Sequence, residues 1–172
     1  PTPAAPTVDN SSSAPTNITL DFDGTNDYVL VSDHNSLDTD NSITISMWIR
    51  PISVANARGL ISKRTVNEQS GNYALRFDNA EKLQWMVWGS GGSGSSGNVS
   101  SSSAISTGTW THVAITFDNS NNTTKFYING ELDKTDTSIT TDLSFNTQDI
   151  KIGYDGQNEY FQGKMDEVRI WS

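Results

Sequence analysis

The stretch Phe126-Tyr127-Ile128-Asn129-Gly130-Glu131-Leu132 decides the fold class. Strand-forming residues lie on both sides of Asn129-Gly130, the dipeptide preferred in two-residue type I′ turns because both positions tolerate positive φ. The segment therefore predicts a β-hairpin. Outward from it, the chain reads as further short runs of β-branched and aromatic residues: 18–23, 27–32, 43–50, 59–64, 73–78, 82–88, 110–118, 124–128, 131–136, 150–154 and 165–171. Several alternate with period two. Ile43, Ile45, Met47 and Ile49 share one face; Val113, Ile115 and Phe117 share another; Asp166, Val168 and Ile170 follow the same rule near the end. Asp23-Gly24, Asp78-Asn79 and Asp155-Gly156 supply further turns. No window of helical length carries a 3.6-residue apolar period with caps. Many short strands at regular spacing predict an all-β protein, a two-sheet antiparallel β-sandwich or jelly roll.

Two segments break this rhythm. Residues 1–17 hold four of the five prolines and almost no large apolar side chain, so they read as a Pro/Ser/Thr-rich linker or tail, with the folded domain at 18–172. Residues 89–103, GSGGSGSSGNVSSSS, read as a long surface loop, either unconstrained or a rim over a binding face. The chain opens at Pro1 rather than Met and reads as a piece of a longer one.

Composition narrows the function. The 172 residues suffice for one domain with a real core. No cysteine is present, which excludes disulfides and thiolate metal sites. A net charge of −9 repels phosphate backbones, so nucleic acid is not an expected partner. No apolar run reaches transmembrane length, so membrane insertion is not expected either.

Several segments together resemble one family. Leu20-Asp21-Phe22-Asp23-Gly24-Thr25-Asn26-Asp27-Tyr28-Val29, then Ile43-Thr44-Ile45-Ser46-Met47-Trp48-Ile49-Arg50-Pro51, then Trp110-Thr111-His112-Val113-Ala114 resemble the ordered motifs of laminin-G-like jelly-roll domains of the concanavalin A-like lectin/glucanase superfamily. Phe126-Tyr127-Ile128-Asn129-Gly130 and Gly163-Lys164-Met165-Asp166-Glu167-Val168-Arg169-Ile170-Trp171 continue the series. The resemblance implies two stacked sheets, one concave and one convex, with the first and last strands adjacent. It also implies an extracellular binding module, of the kind attached to glycan-degrading enzymes or adhesins.

Asp23, Asn26 and Asp27 offer hard oxygen ligands at short spacing around Gly24, which suits Ca²⁺. The resemblance places Asp166 beside that turn, so a structural Ca²⁺ clasping the two chain ends is one expectation. The other is an ordinary Asp-Gly turn. For a ligand, the outward positions of the 73–88 hairpin matter most. Arg76 and Gln84 are planar hydrogen-bonding groups and Trp88 an aromatic platform, a combination that suits sugar C–H faces and hydroxyls. Lys63 and Arg64 on the preceding strand are expected to extend this face, unless a loop covers it. Trp48, Trp110 and Trp171 read as architecture, His112 as a hydrogen-bonded framework histidine, and the loop 154–160 as a polar, aromatic rim.

Catalysis finds little material. Glycoside hydrolysis needs two carboxylates facing one cleft, and Asp166-Glu167 point to opposite faces of a strand. No nucleophile elbow, zinc-protease motif or phosphate loop occurs. The expectation is a secreted or cell-surface, monomeric, non-catalytic module that binds a polysaccharide or other glycan, accompanied by other domains of its chain. The alternatives are an adhesion or protein-interaction module and a non-binding spacer.

Overall fold

The computed structural model describes residues 18–38, 42–55, 57–64, 73–89, 96–143 and 146–171; the 1–17 segment lies outside them. Twelve strands are described: β1 (Leu20–Asp23), β2 (Val29–Val31), β3 (Ser42–Ser53), β4 (Gly59–Lys63), β5 (Tyr73–Phe77), β6 (Lys82–Trp88), β7 (Ser96–Ala104), β8 (Thr111–Asp118), β9 (Thr123–Ile128), β10 (Glu131–Asp136), β11 (Ile150–Ile152) and β12 (Gln162–Trp171). They form two six-stranded sheets, in the orders β1-β12-β3-β8-β9-β10 and β2-β11-β4-β5-β6-β7. Every ladder is antiparallel. The first and last strands pair directly, Leu20 opposite Met165 and Asp23 opposite Gln162. Asn129 and Gly130 carry φ of 52° and 83°, the backbone of a type I′ turn.

The core lies between the sheets. Ile43, Ile45, Met47 and Ile49 of β3 and Val113, Ile115 and Phe117 of β8 face Tyr73, Leu75 and Phe77 of β5 and Leu83, Trp85 and Val87 of β6, all buried. Trp85 stacks on Tyr73 at 5.4 Å and reaches across to Phe117 at 6.2 Å, joining the two layers. Each such ring removes a large apolar area from water, at about 25 cal/mol per Å².

Three departures from the sequence reading have physical causes. The Gly/Ser run is not all loop: Ser96–Ala104 forms β7, held to β6 by backbone hydrogen bonds that need no side-chain pattern. Two extra β7 residues bulge between the pairs Lys82–Ala104 and Gln84–Ser100, and Ser101 Oγ fills the gap by accepting the Leu83 N–H at 3.1 Å. The last strand also changes phase. Asp166 pairs with Trp48 but Arg169 pairs with Ser46, so β12 carries one extra residue there, with Glu167 at φ 53°. Val168 and Ile170 therefore turn toward the core, while Asp166, Arg169 and Trp171 share the outer face. Finally, β10 bulges at Asp133, whose carboxylate accepts the Ser102 N–H at 2.6 Å and the Ser103 N–H at 3.1 Å. Lys134 Nζ adds a bond to the Ser100 carbonyl at 2.9 Å, tying the edges of the two sheets together.

Candidate functional site

The outer face of β4–β6 holds part of the expected ligand surface. Arg76 Nε donates to Gln84 Oε1 at 3.0 Å, and both side chains are partly exposed. Trp88 is not an exposed platform: 6% of its surface is accessible, and it packs with Ala74 and Met86 under the Arg64 guanidinium, 4.7 Å above its ring. Lys63 and Arg64 are fully buried. As neighbours on an extended chain they point to opposite sides, so they cannot extend one face together. Lys63 pairs in register with the core residue Tyr73. Its ammonium reaches Asp33 at 2.7 Å, Asp38 at 3.2 Å, and the carbonyls of Asn146 and Gln148 at 2.9 and 3.0 Å. Such a cation is a fastening for loops, not a ligand contact.

Arg64 is occupied by the segment 154–160, which lies across this face. Gly59 makes the close approach possible, because a Cβ there would sit 2.1 Å from the Asp155 backbone nitrogen. Ser62 Oγ donates to the Tyr154 carbonyl at 2.9 Å, and Arg58 Nη1 donates to the Tyr160 carbonyl at 2.7 Å. Asp155 is completely buried and takes charge-assisted bonds from Arg64 Nη2 at 2.9 Å and Arg76 Nη1 at 3.2 Å. Its carbonyl accepts from Arg64 Nε as well. Arg76 also meets Glu159 Oε2 at 3.2 Å. Burial, a hydrogen bond with Asp155 and the Asp155 charge push the Glu159 carboxyl up to about 8, against the pull of Arg76 and Arg64. The two carboxyls thus share this pocket with one of them largely protonated at neutral pH.

Asp23, Asn26, Asp27 and Asp166 do not converge on a calcium position. Asp23 Oδ1 accepts the Thr25 N–H at 2.7 Å, and Asp27 Oδ2 accepts the Asp23 N–H at 3.0 Å, so the turn satisfies itself. Asp23 lies opposite Gln162, whereas Asp166 is four residues further along β12, about 13 Å at strand rise. Among the described residues no group of three or more His, Cys, Asp or Glu is placed to hold a metal ion. Asp166 is therefore not placed to join a calcium at the Asp23 turn, as the resemblance implied. The chain ends are fastened instead by the β1–β12 ladder and by Lys164 Nζ bonding Asp21 Oδ2 at 2.8 Å.

The outer face of the other sheet carries the open aromatic surface. Trp48, Trp110, His112, Asn129 and Gly130 line a cleft of about 560 Å³. Trp48 and His112 are register partners on β3 and β8, and their rings meet edge to face at 5.3 Å. The hairpin turn positions the rim: Asn129 Oδ1 accepts the His112 N–H at 3.0 Å, and its own N–H donates to the His112 carbonyl at 2.8 Å. On the other side of Trp48 stands Asp166. Its Oδ1 accepts the Glu167 N–H at 2.7 Å, while Oδ2 is buried and has no hydrogen-bond partner among the described residues. Partial burial and then the Arg169 charge lower the His112 pKa, so its ring is neutral at pH 7, one donor and one acceptor. Burial raises the Asp166 pKa, with Arg169 opposing. Trp48 and His112 thus have partly exposed rings beside unused hydrogen-bonding capacity. The alternation of β3 contained this signal, since core positions Met47 and Ile49 force Trp48 outward.

Residues 23–172 match the model of a family described as the concanavalin A-like lectin/glucanases superfamily. The chain belongs to this superfamily. It matches none of the curated proteins compared with it. Among solved structures, a protein of Bacteroides ovatus ATCC 8483 superposes with a TM-score of 0.64 at 20% identity, over 91% of this chain and 44% of that one. The chain thus spans less than half of that protein's length. Domain 4 of AbnA, a GH43 extracellular arabinanase from Geobacillus stearothermophilus solved with arabinotriose, gives 0.62 at 18% identity, over 88% of this chain and 81% of that one. The CBM40 of the Ruminococcus gnavus IT-sialidase, bound to α2,3-sialyllactose, gives 0.60 at 16%, over 90% and 91%. At these identities the superfamily likeness establishes the shared sandwich.

Proposed function

We propose that this chain is a non-catalytic carbohydrate-binding module of a larger secreted or cell-surface protein, with its ligand seated in the Trp48–Trp110 cleft. The observation that carries this reading is the cleft itself: two indoles, a neutral imidazole and a carboxamide around an open hollow beside the unpartnered Asp166 Oδ2. Sugars need such a mixture, because their C–H faces stack on rings while their hydroxyls both donate and accept. Two domains of the same fold, the arabinanase domain and the sialidase CBM40, were solved with oligosaccharides and support the class of ligand. The non-catalytic half of the proposal is supported by the disposition of the acids. Asp155 and Glu159 hydrogen-bond to each other beneath two arginines, whereas retaining and inverting glycosidases hold their carboxyls about 5–9.5 Å apart across a substrate.

The test is a glycan array followed by calorimetry on the strongest hits, with Trp110→Ala and His112→Ala beside the parent chain. Stacking lost at Trp110 lowers affinity about tenfold or more. Binding that survives both substitutions unchanged refutes the assignment of the cleft.

A further inference from the structure

The cleft opens onto a trough that runs along β3 and β8. Its floor is made of small outward side chains, Ser46 opposite Ala114 and Thr44 opposite Thr116. Ser46 points away from the core yet is 7% exposed, so taller neighbours overhang it. On one side these are Arg169, opposite Ser46, and Trp171, opposite Thr44. On the other they are Tyr127, opposite Ala114, and Leu132, opposite Tyr127. Trp171 and Leu132 are 49% and 57% exposed, although large apolar side chains are usually withdrawn from water. Between the rows of Trp48 and Trp171 the sheet advances four residues, about 13 Å. The charged groups beside the trough carry both signs, Asp166 and Glu167 against Arg169 and Lys125, and Arg169 is already paired with Glu167.

We infer that this trough binds a linear, uncharged polysaccharide lengthwise, as an internal stretch of chain, with one sugar ring at Trp48 and Trp110 and another at Trp171. The inference rests on the reading of the cleft as a glycan site. The partly exposed hydroxyls of Thr44 and Thr116 offer hydrogen bonds to a sugar beyond the first ring, and the balanced charges offer no preference for an anionic chain. Two separated rings make affinity depend on chain length, because the second is reached only by a ligand that spans the trough.

The experiment is calorimetry with β-1,4-gluco-, β-1,4-xylo- and α-1,5-arabino-oligosaccharides of two to six residues. The parent chain, Trp171→Ala, Ala114→Leu and Trp110→Ala are compared, each checked for a native melting transition. Expected for the parent is an affinity that rises about tenfold or more from the shortest to the longest member of one series. Trp171→Ala and Ala114→Leu, one removing the distal ring and one filling the floor, abolish that rise and leave the shortest ligand within about twofold. A flat series in the parent, with binding still lost in Trp110→Ala, overturns the lengthwise trough and leaves the cleft. Binding that is indifferent to Trp110→Ala overturns the cleft and this inference together. Failure of every six-residue probe to bind the parent also overturns the lengthwise, uncharged ligand.

Discussion

Asp155→Asn is the most demanding test of the folded architecture. The substitution changes almost no volume but removes the one fully buried anion that faces Arg64 and Arg76. Arg64 and Asp155 are both inaccessible to water, at 0% side-chain exposure, so the guanidinium left behind cannot be hydrated without moving the 154–160 segment. Removing one partner of such a pair costs about 3–5 kcal/mol, most of it the uncompensated buried charge. Glu159 softens the loss. Two of the three influences that raise its pKa come from Asp155, so in the variant it ionises more readily and moves its charge toward Arg76. Arg64 keeps its bond to the residue-155 carbonyl, and the Glu159 charge acts on it more weakly than on Arg76. For a domain of this size, about 3–5 kcal/mol corresponds to a fall of roughly 6–20 °C in Tm. Urea unfolding at pH 7 reads the free energy directly, and the double variant Arg64→Met/Asp155→Asn recovers part of the loss because no charge is then stranded. A loss below about 1 kcal/mol in Asp155→Asn, or a double variant weaker than the single one, refutes the reasoning.

Glu159 makes stability depend on pH in a stated direction. Its folded-state value near 8 lies above the ordinary 4.5, so the unfolded chain releases this proton first, and the group's contribution falls as pH rises from about 4.5 to about 8. Glu159→Gln flattens that slope in thermal melts between pH 5 and 8; an unchanged slope counts against the buried carboxyl pair. Gly59→Ala drives a methyl group into the Asp155 backbone nitrogen at 2.1 Å, and denaturant melts should show a loss of about 3 kcal/mol. Lys63→Met strands Asp33 and Asp38 beside an apolar chain; both carboxylates are partly exposed, so the expected loss is about 2 kcal/mol, and none at all would mean that the ammonium fastens nothing. Because the four acidic and amide side chains around Asp23 do not converge, excess EDTA should shift Tm by about 1 °C or less, whereas a drop of several degrees would restore a structural calcium.

Side-chain periodicity made the sandwich legible where it was allowed to act. The alternating residues of β3 and β8 and the Asn129-Gly130 turn sit where the pattern places them, because core burial enforces period two. It could not reveal β7. That strand contributes Val99 to the core and is otherwise Ser, Gly, Asn98 and Ala104, so its pairing is written in backbone groups common to every sequence. Nor could it reveal the extra residue after Asp166, since one inserted position inverts the phase of everything beyond it. The candidate site suffered from the same two limits. Arg76 and Gln84 do meet on the outer face, but Trp88 is covered by Arg64, and Arg64 is held by Asp155, 91 residues away in sequence. The opposite cleft needs Trp48 from β3, His112 from β8 and Asp166 from β12, three separate strands whose neighbourhood exists only in the folded register.

Asp133 has a consequence for how the edge of the sheet meets other extended chains. An open edge of a sheet is a template onto which any other extended chain can add, and copies of one module held side by side meet that hazard at high local concentration. By occupying the amides of Ser102 and Ser103, the Asp133 carboxylate removes two of the donors an incoming strand would need, and it leaves a negative charge where that strand would dock. A bulge of one residue thus guards a Ser-rich border that is otherwise well suited to pairing.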